Sequence, residues 1–122
     1  IADDEPHVAR VLKLYLTREG YEVELVPDGA VALARIRERA PDLLITDIQM
    51  PNMNGRELCQ AVHAEFPQRG FPIFVMTSMT ERENREWAGR IPNTDFLEKP
   101  LSPRTLVARL ASMRNPVAEG AP

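Results

Sequence analysis

Short apolar runs alternate with longer amphipathic stretches along the whole chain. Five of the apolar runs predict β-strands, at residues 1–2, 23–26, 43–46, 72–77 and 96–99. The third and fourth runs, LLIT and PIFVMT, are almost continuously apolar, which is typical of strands that are covered on both faces. The first run stops at once at an acidic pair, so we expect the first strand to be incomplete at its start.

The stretches between these runs carry apolar residues at helical spacing. They predict five helices, over residues 6–19, 28–39, 55–66, 81–90 and 103–114. In the first helix the apolar face is expected to consist of Val8, Val11, Leu12, Tyr15 and Leu16, which recur at helical spacing. Gly20 is placed to end that helix. Three residues are suited to begin a helix as its N-cap: Asp28, Asn54 and Ser102. Regular alternation of strand and helix predicts an α/β fold with a parallel sheet and helices on both faces.

Length and composition indicate one soluble globular domain. The chain has 122 residues, of which 43% are hydrophobic and 27% charged, and we predict one domain over residues 1–114 with a tail or linker at 115–122. A net charge of −3 gives no general attraction to nucleic acid or anionic lipid. The single cysteine, Cys59, favours a reducing compartment, and no apolar run approaches the roughly 18 residues of a membrane span.

Polar side chains follow four of the five predicted strands. Asp3 and Asp4 follow the first strand, Asp47 the third, Thr77 the fourth and Lys99 the fifth. In such a sheet, ligands bind beyond the carboxyl ends of the strands. Carboxylates that lie close together repel unless a hard cation such as Mg²⁺ binds them, and lysine and threonine suit phosphoryl oxygens. The pattern therefore predicts a phosphoryl-transfer site in which one aspartate is the nucleophile.

Each of these residues also has an ordinary structural interpretation. An acidic pair begins many helices, Asp47 could cap its loop, and a lysine before a proline is usually solvated. The ordinary interpretation requires all of these roles to coincide at matching strand ends, so we favour the site. The two histidines, His7 and His63, have no partner at ligand spacing and are predicted to be surface or boundary residues.

Four segments together resemble the receiver domain of two-component response regulators. They are ADDE at 2–5, DIQMPNMNG at 47–55, MTS at 76–78 and FLEKP at 96–100. Their order and separations fit that family, and the resemblance covers essentially the whole chain. It implies a flavodoxin-like, doubly wound (βα)5 fold in which five parallel strands have the order 2-1-3-4-5.

The resemblance also implies a role for each matching residue. Asp47 corresponds to the phosphoacceptor, and Lys99 and Thr77 to residues that contact the phosphoryl group. Thr77 and Phe96 correspond to the switch pair, and Phe96 must act by packing alone because it lacks the hydroxyl of tyrosine. The implied ligands of Mg²⁺, or of Mn²⁺, are Asp3, Asp4, Asp47 and the backbone carbonyl of Gln49.

The function implied by the resemblance is regulatory. A sensor histidine kinase or a phosphotransfer protein would supply the phosphoryl group from a phosphohistidine in the cytoplasm. The acyl phosphate would then alter an interaction face built from residues 81–90, 96–99 and 103–114, toward an output domain, a downstream protein or a second copy of the chain. Such a domain catalyses only its own phosphorylation and dephosphorylation, and it contacts neither a membrane nor nucleic acid directly.

Two other functions compete with this interpretation. A docking module that is independent of phosphorylation would usually lack the acceptor, a metal ligand or the lysine, and all of them are present here. A Mg²⁺-dependent hydrolase with an aspartyl-phosphate intermediate would carry a second acid two residues after its nucleophile, where this chain has Gln49.

The chain also departs from the family pattern before Phe96, where Pro92 is predicted to end the fourth helix early.

Overall fold

A computed structural model describes residues 1–77, 86–87 and 89–114 of the chain. Its regular elements are, in chain order, α1 (Pro6–Arg18), α2 (Gly29–Glu38), β1 (Leu44–Asp47), α3 (Gly55–Glu65), β2 (Ile73–Thr77), β3 (Thr94–Glu98) and α4 (Pro103–Arg114). The strands form a parallel sheet in the order β1-β2-β3. They correspond to the last three predicted strands, although β3 begins at Thr94 rather than at residue 96.

The first two predicted strands are each reduced to a single paired residue. Ala2 forms isolated parallel bridges with Val26 on one side and with Thr46 on the other. Hydrogen bonds continue on both sides of the bridge to Val26, since the Val26 N–H donates to the Ile1 carbonyl at 2.9 Å and the Asp3 N–H donates to the Val26 carbonyl at 3.1 Å. The bridges place Val26 beside Ala2 and Ala2 beside β1, which is the order 2-1-3-4-5. The α/β fold class is therefore confirmed, and the described residues form three regular strands, with single bridges where the first two strands were predicted.

Two apolar clusters cover the two faces of this sheet. One cluster joins α1 and α4 to the sheet and includes Leu12, Leu16, Ile45, Phe74, Met76 and Leu106. The other joins α2 and α3 to the opposite face and includes Leu33, Leu58, Val62, Ile73, Val75 and Trp87. Successive residues of β2 alternate between the clusters because side chains alternate along a strand. Burial on both faces explains why the strand sequences are apolar throughout.

The predicted capping residues begin and end the helices. Asp28, Asn54 and Ser102 each accept a hydrogen bond from the backbone N–H three residues later, at 2.9, 2.8 and 3.4 Å. Asn54 also forms a reciprocal capping box with Glu57. After α1 the chain turns at Gly20, whose φ is 92°, a left-handed conformation that glycine adopts without strain.

Some expectations about individual residues change in the structure. Val8 and Val11 are 40% and 46% exposed, because α1 packs on the sheet through Ala9, Leu12 and Leu16 instead. Most of the predicted helix at residues 81–90 and all of the predicted tail at 115–122 lie outside the described residues. Within the described part of the chain, no helix is long and apolar enough to cross a membrane.

The first residue of α3 packs directly on the end of β1. The Gly55 N–H donates to the Ile48 carbonyl at 2.7 Å. A Cβ atom added to Gly55 would lie 2.1 Å from the Asp47 carbonyl oxygen. Only glycine therefore allows α3 to begin this close to the residue that ends β1.

We expect Gly55→Ala to lower the free energy of unfolding by about 3 kcal/mol, at the upper end of the cost of overpacking, because the atom it would meet is backbone. The measurement is urea denaturation followed by circular dichroism. Gly70→Ala is the matched control, since a Cβ there meets no atom within 4 Å, and it should change stability by less than about 0.5 kcal/mol. Equal midpoints for the two variants would contradict the close approach.

Candidate functional site

Four carboxylates lie together at the carboxyl end of the sheet. Asp3, Asp4, Glu5 and Asp47 each offer one oxygen, and these oxygens lie within 4.8 Å of one another. Asp3 and Asp47 are buried, whereas Asp4 and Glu5 are exposed. The Asp47 N–H donates to the Ala2 carbonyl at 2.8 Å, so the acidic segment after Ala2 is held beside the end of β1.

Lys99 places a positive charge against this cluster. Its Nζ lies 2.8 Å from Asp47 Oδ1, an oxygen that also accepts a hydrogen bond from the Ile48 N–H at 2.8 Å. Burial disfavours the charged form of Lys99, but the hydrogen bond to Asp47 and the charge of Asp47 outweigh it, so the Lys99 pKa is raised. The lysine therefore remains an ammonium group at neutral pH.

The surroundings of Asp3 raise its pKa. Burial is the largest cause, and the negative charge of Asp47 adds to it. The hydrogen bond from the Glu5 N–H to Asp3 Oδ1, at 2.9 Å, and the positive charge of Lys99 act in the opposite direction without cancelling these effects. The buried Asp3 carboxylate is therefore less stable in its charged form than it would be in water.

The acidic cluster opens onto a cavity of about 260 Å³. The cavity is lined by Asp4, Glu5, Asp47, Ile48, Gln49, Met76, Thr77 and Lys99. Thr77 ends β2 and is only 2% exposed. The structure therefore brings Gln49, Thr77 and Lys99, which were predicted from three separate segments, to the same cavity as Asp47.

Phe96 lies apart from the residues that line the cavity. It is half-buried in β3, where it pairs with Val75 of β2. Its ring meets the ring of Trp87 edge-on, with centroids 6.5 Å apart and an interplanar angle of 71°. The contact between Trp87 and Phe96 was not predicted. The available signal was that Trp87 is the one large apolar residue in the polar stretch 81–90.

The family model of the response regulator receiver domain matches residues 1–111. The chain belongs to the response regulator receiver family. In sequence the receiver domain is 34% identical over 110 residues to the DNA-binding response regulator MtrA of Mycolicibacterium smegmatis, which covers 90% of this chain and 47% of MtrA. It is 32% identical over 113 residues to the transcriptional regulatory protein ResD of Bacillus subtilis, covering 93% of this chain and 46% of ResD. The chain spans about half the length of these curated relatives.

Solved structures show the same fold. The receiver domain superimposes on the chemotaxis protein CheY4 of Vibrio cholerae with a TM-score of 0.80 and 33% identity, over 90% of this chain and 92% of CheY4. A CheY-like receiver domain protein of Methanospirillum hungatei gives a TM-score of 0.84 and 27% identity, over 98% and 94% of the two chains. Receiver domains are regulatory phosphoacceptors in two-component signal transduction rather than conventional enzymes, and the family implies a histidine kinase as partner.

Receiver domains typically bind Mg²⁺, and the residues at this site fit that ion. Mg²⁺ prefers carboxylate and carbonyl oxygens, and the cluster supplies several carboxylate oxygens whose charge Lys99 only partly offsets. Glu5 is a member of the cluster that the sequence interpretation missed. Its position directly after the acidic pair was the signal that could have found it.

We expect Mg²⁺ to stabilise the receiver domain, because the carboxylates converge only in the folded state. A Mg²⁺ concentration ten times the dissociation constant should raise the free energy of unfolding by about 1.4 kcal/mol. Thermal denaturation with MgCl2, and with KCl at the same ionic strength, measures the effect.

The matched pair of variants for this experiment is Asp4→Asn and Asp42→Asn. Both remove one exposed negative charge, but only Asp4 belongs to the acidic cluster. Mg²⁺ should stabilise Asp42→Asn as it stabilises the wild type, and it should stabilise Asp4→Asn less. Equal stabilisation of both variants, or an equal effect of KCl, would show that the cluster does not bind the ion.

Proposed function

We propose that this receiver domain accepts a phosphoryl group on Asp47 in a Mg²⁺-dependent reaction. The observation that carries the proposal is the ion pair between Lys99 Nζ and the buried Asp47 carboxylate, at 2.8 Å, beside the acidic cluster. Asp47 also lines the cavity at the carboxyl end of the sheet, so a donor that enters this cavity would reach its carboxylate. The adjacent ammonium group is placed to stabilise negative charge that develops there during transfer.

The proposed ligands of Mg²⁺, or of Mn²⁺, are those implied by the family resemblance. They are Asp3, Asp4, Asp47 and the backbone carbonyl of Gln49. Glu5 lies close enough to take part through a water molecule, since its carboxylate belongs to the same cluster. When bound, Mg²⁺ neutralises charge on the phosphoryl oxygens.

The chain's own residues perform the remaining steps of the proposed reaction. An Asp47 oxygen attacks the phosphorus of a kinase phosphohistidine in line with the P–N bond, which breaks as the P–O bond forms. The electron pair of the broken bond returns to the histidine nitrogen. Lys99 exchanges its contact with the Asp47 carboxylate for a transferred phosphoryl oxygen, and the Thr77 hydroxyl donates a hydrogen bond to another. Water later hydrolyses the acyl phosphate.

The proposed switch links Thr77 to Phe96 through the packing of β2 on β3. The two residues lie on neighbouring strands, where Thr77 pairs with Glu98 and Phe96 with Val75. A movement of Thr77 toward the phosphoryl group would leave space near the strand end, and inward rotation of Phe96 would fill it. Because Phe96 contacts the Trp87 ring, this rotation would also change the packing of Trp87.

The proposed output is a change of partner at the face that includes β3 and α4. The partner is an output domain, a separate downstream protein, or a second copy of the chain. MtrA is a DNA-binding response regulator. For this chain we propose only that the receiver domain controls an output of that kind. A histidine kinase presents its phosphohistidine in the cytoplasm, so we propose that the domain acts there. We propose that the receiver domain ends at residue 114.

The first test is intact-mass spectrometry after incubation with acetyl phosphate. We expect a single phosphoryl adduct that requires Mg²⁺ and is absent from Asp47→Asn. Lys99→Ala should form the adduct roughly 100-fold more slowly, which is the usual effect of removing one group that stabilises transition-state charge.

Asp42→Asn is the control for the charge change in this test, and it should form the adduct at the wild-type rate. If no adduct forms, the same measurement with a histidine kinase as donor shows whether the protein accepts a phosphoryl group from a kinase alone. A protein that binds Mg²⁺ but is phosphorylated by neither donor would be a docking module, and the proposed function would be wrong.

We also expect phosphorylation to change the fluorescence of Trp87, which is the only tryptophan of the chain. Its ring packs on Phe96, so rotation of Phe96 alters its surroundings. Phe96→Leu should remove most of the change. Phe66→Leu is the matched control, because Phe66 packs against the same apolar cluster at the far end of α3, and it should keep the change. An unaltered spectrum in fully phosphorylated protein would contradict the switch.

A further inference from the structure

The loop that follows Asp47 is fastened to the start of α2 by two hydrogen bonds. Asn52 Nδ2 donates to Asp28 Oδ2 at 2.9 Å. The Gly29 N–H donates to the Met53 carbonyl, also at 2.9 Å. One bond is made by side chains and the other by backbone, and together they join two loops that are 24 residues apart in the sequence.

The loop has little freedom at this contact. A Cβ atom added to Gly29 would lie 2.6 Å from the Met53 carbonyl oxygen. Asn52 has a φ of 64°, in the left-handed region that costs free energy for residues other than glycine and that asparagine tolerates better than most. The bond from Asn52 to Asp28 therefore helps to hold a conformation that the backbone by itself does not favour.

Asp28 uses its two carboxylate oxygens for two different purposes. Oδ1 accepts the Val31 N–H at 2.9 Å and caps α2, while Oδ2 accepts the side chain of Asn52. The residue is only 5% exposed. The hydrogen bond from Val31 and then that from Asn52 lower the pKa of Asp28, so its carboxylate is charged at neutral pH. The cap alone would need only one of these oxygens.

Gln49 lies between two anchored points of this loop. On one side the Ile48 carbonyl accepts the Gly55 N–H at 2.7 Å, and on the other Met53 is bound by Gly29. Gln49 and Asn52 are themselves exposed, so water competes for the polar groups of this segment. The side-chain bond of Asn52 is a restraint on the path of the backbone between the two anchors.

We propose that Asp28 and Asn52 are positioning residues for the metal site, because their hydrogen bond restrains the loop that carries the Gln49 carbonyl, a proposed ligand of Mg²⁺. This inference rests on the proposed function. It concerns the affinity for the ion, and not whether Asp47 is the phosphoacceptor.

Two substitutions remove this bond while keeping the local roles of the residues. Asp28→Ser keeps a side-chain oxygen that can cap α2 but has no second acceptor for Asn52. Asn52→Gly keeps the left-handed φ without strain but has no amide to donate. Each variant should bind Mg²⁺ about 3- to 10-fold more weakly, as expected for the loss of one hydrogen bond that orders a ligand. The measurement is titration calorimetry of the unphosphorylated protein with MgCl2.

The double variant shows whether the two residues act through the same bond. It should bind Mg²⁺ as weakly as either single variant, because the second substitution removes nothing further. Arg37→Gln is the control for stability alone, since it breaks the exposed pair of Arg37 with Glu65 that joins α2 to α3, and it should leave the Mg²⁺ affinity within twofold of the wild type.

Each alternative result overturns a defined part of the proposal. If the single variants unfold at a lower urea concentration while their Mg²⁺ affinity stays within twofold of the wild type, the hydrogen bond between Asn52 and Asp28 is purely structural. Additive losses in the double variant would show that the residues act separately. A wild-type protein that binds no Mg²⁺ would overturn the metal site of the proposed function and this inference together, whereas wild-type binding with unchanged variants overturns the inference alone.

Discussion

Parallel pairing of Ala2 with the end of β1 is the interaction on which the site depends. The Asp47 N–H reaches the Ala2 carbonyl at 2.8 Å, and the Ala2 N–H reaches the Ile45 carbonyl at the same distance. These two bonds set the register between the acidic segment and the strand that carries Asp47. A shift of one residue would turn every side chain of the shifted segment to the opposite face of the sheet, and the carboxylates would no longer meet.

Once the carboxylates meet, electrostatics explains the other features of the site. Lys99 offsets part of the negative charge through its contact with Asp47, and burial together with the charge of Asp47 leaves Asp3 with a raised pKa. Carboxylates that lie this close disfavour one another's charged form, and a divalent cation would relieve that repulsion.

The backbone near the site is shaped by close approach more than by side-chain packing. Gly55 and Gly29 both sit where a Cβ would meet a carbonyl oxygen, of Asp47 and Met53 respectively. The loop between β1 and α3 is therefore confined on both sides. Phe96, which packs against the same apolar cluster as Met53 of this loop, contacts Trp87 through side chains alone, with the two rings edge-on.

The alternation of strands and helices, the family and the residues at the strand ends were all predictable from the amino-acid sequence. Local signals were enough for this, because apolar runs stop where the polar residues Asp3, Asp47, Thr77 and Lys99 begin, and the caps at Asp28 and Asn54 act within three residues. Asp47, Thr77 and Lys99 line one cavity, as their positions at strand ends predicted.

Contacts between residues that are far apart in sequence could be found only in the folded structure. The contact of Trp87 with Phe96, the bond from Asn52 to Asp28 and the exposure of Val8 depend on how helices and loops pack. Hydrophobic periodicity shows that a helix has an apolar face, but it does not show which part of that face the sheet covers. These are properties of the assembled chain, because each requires two segments that are far apart in sequence to be placed together.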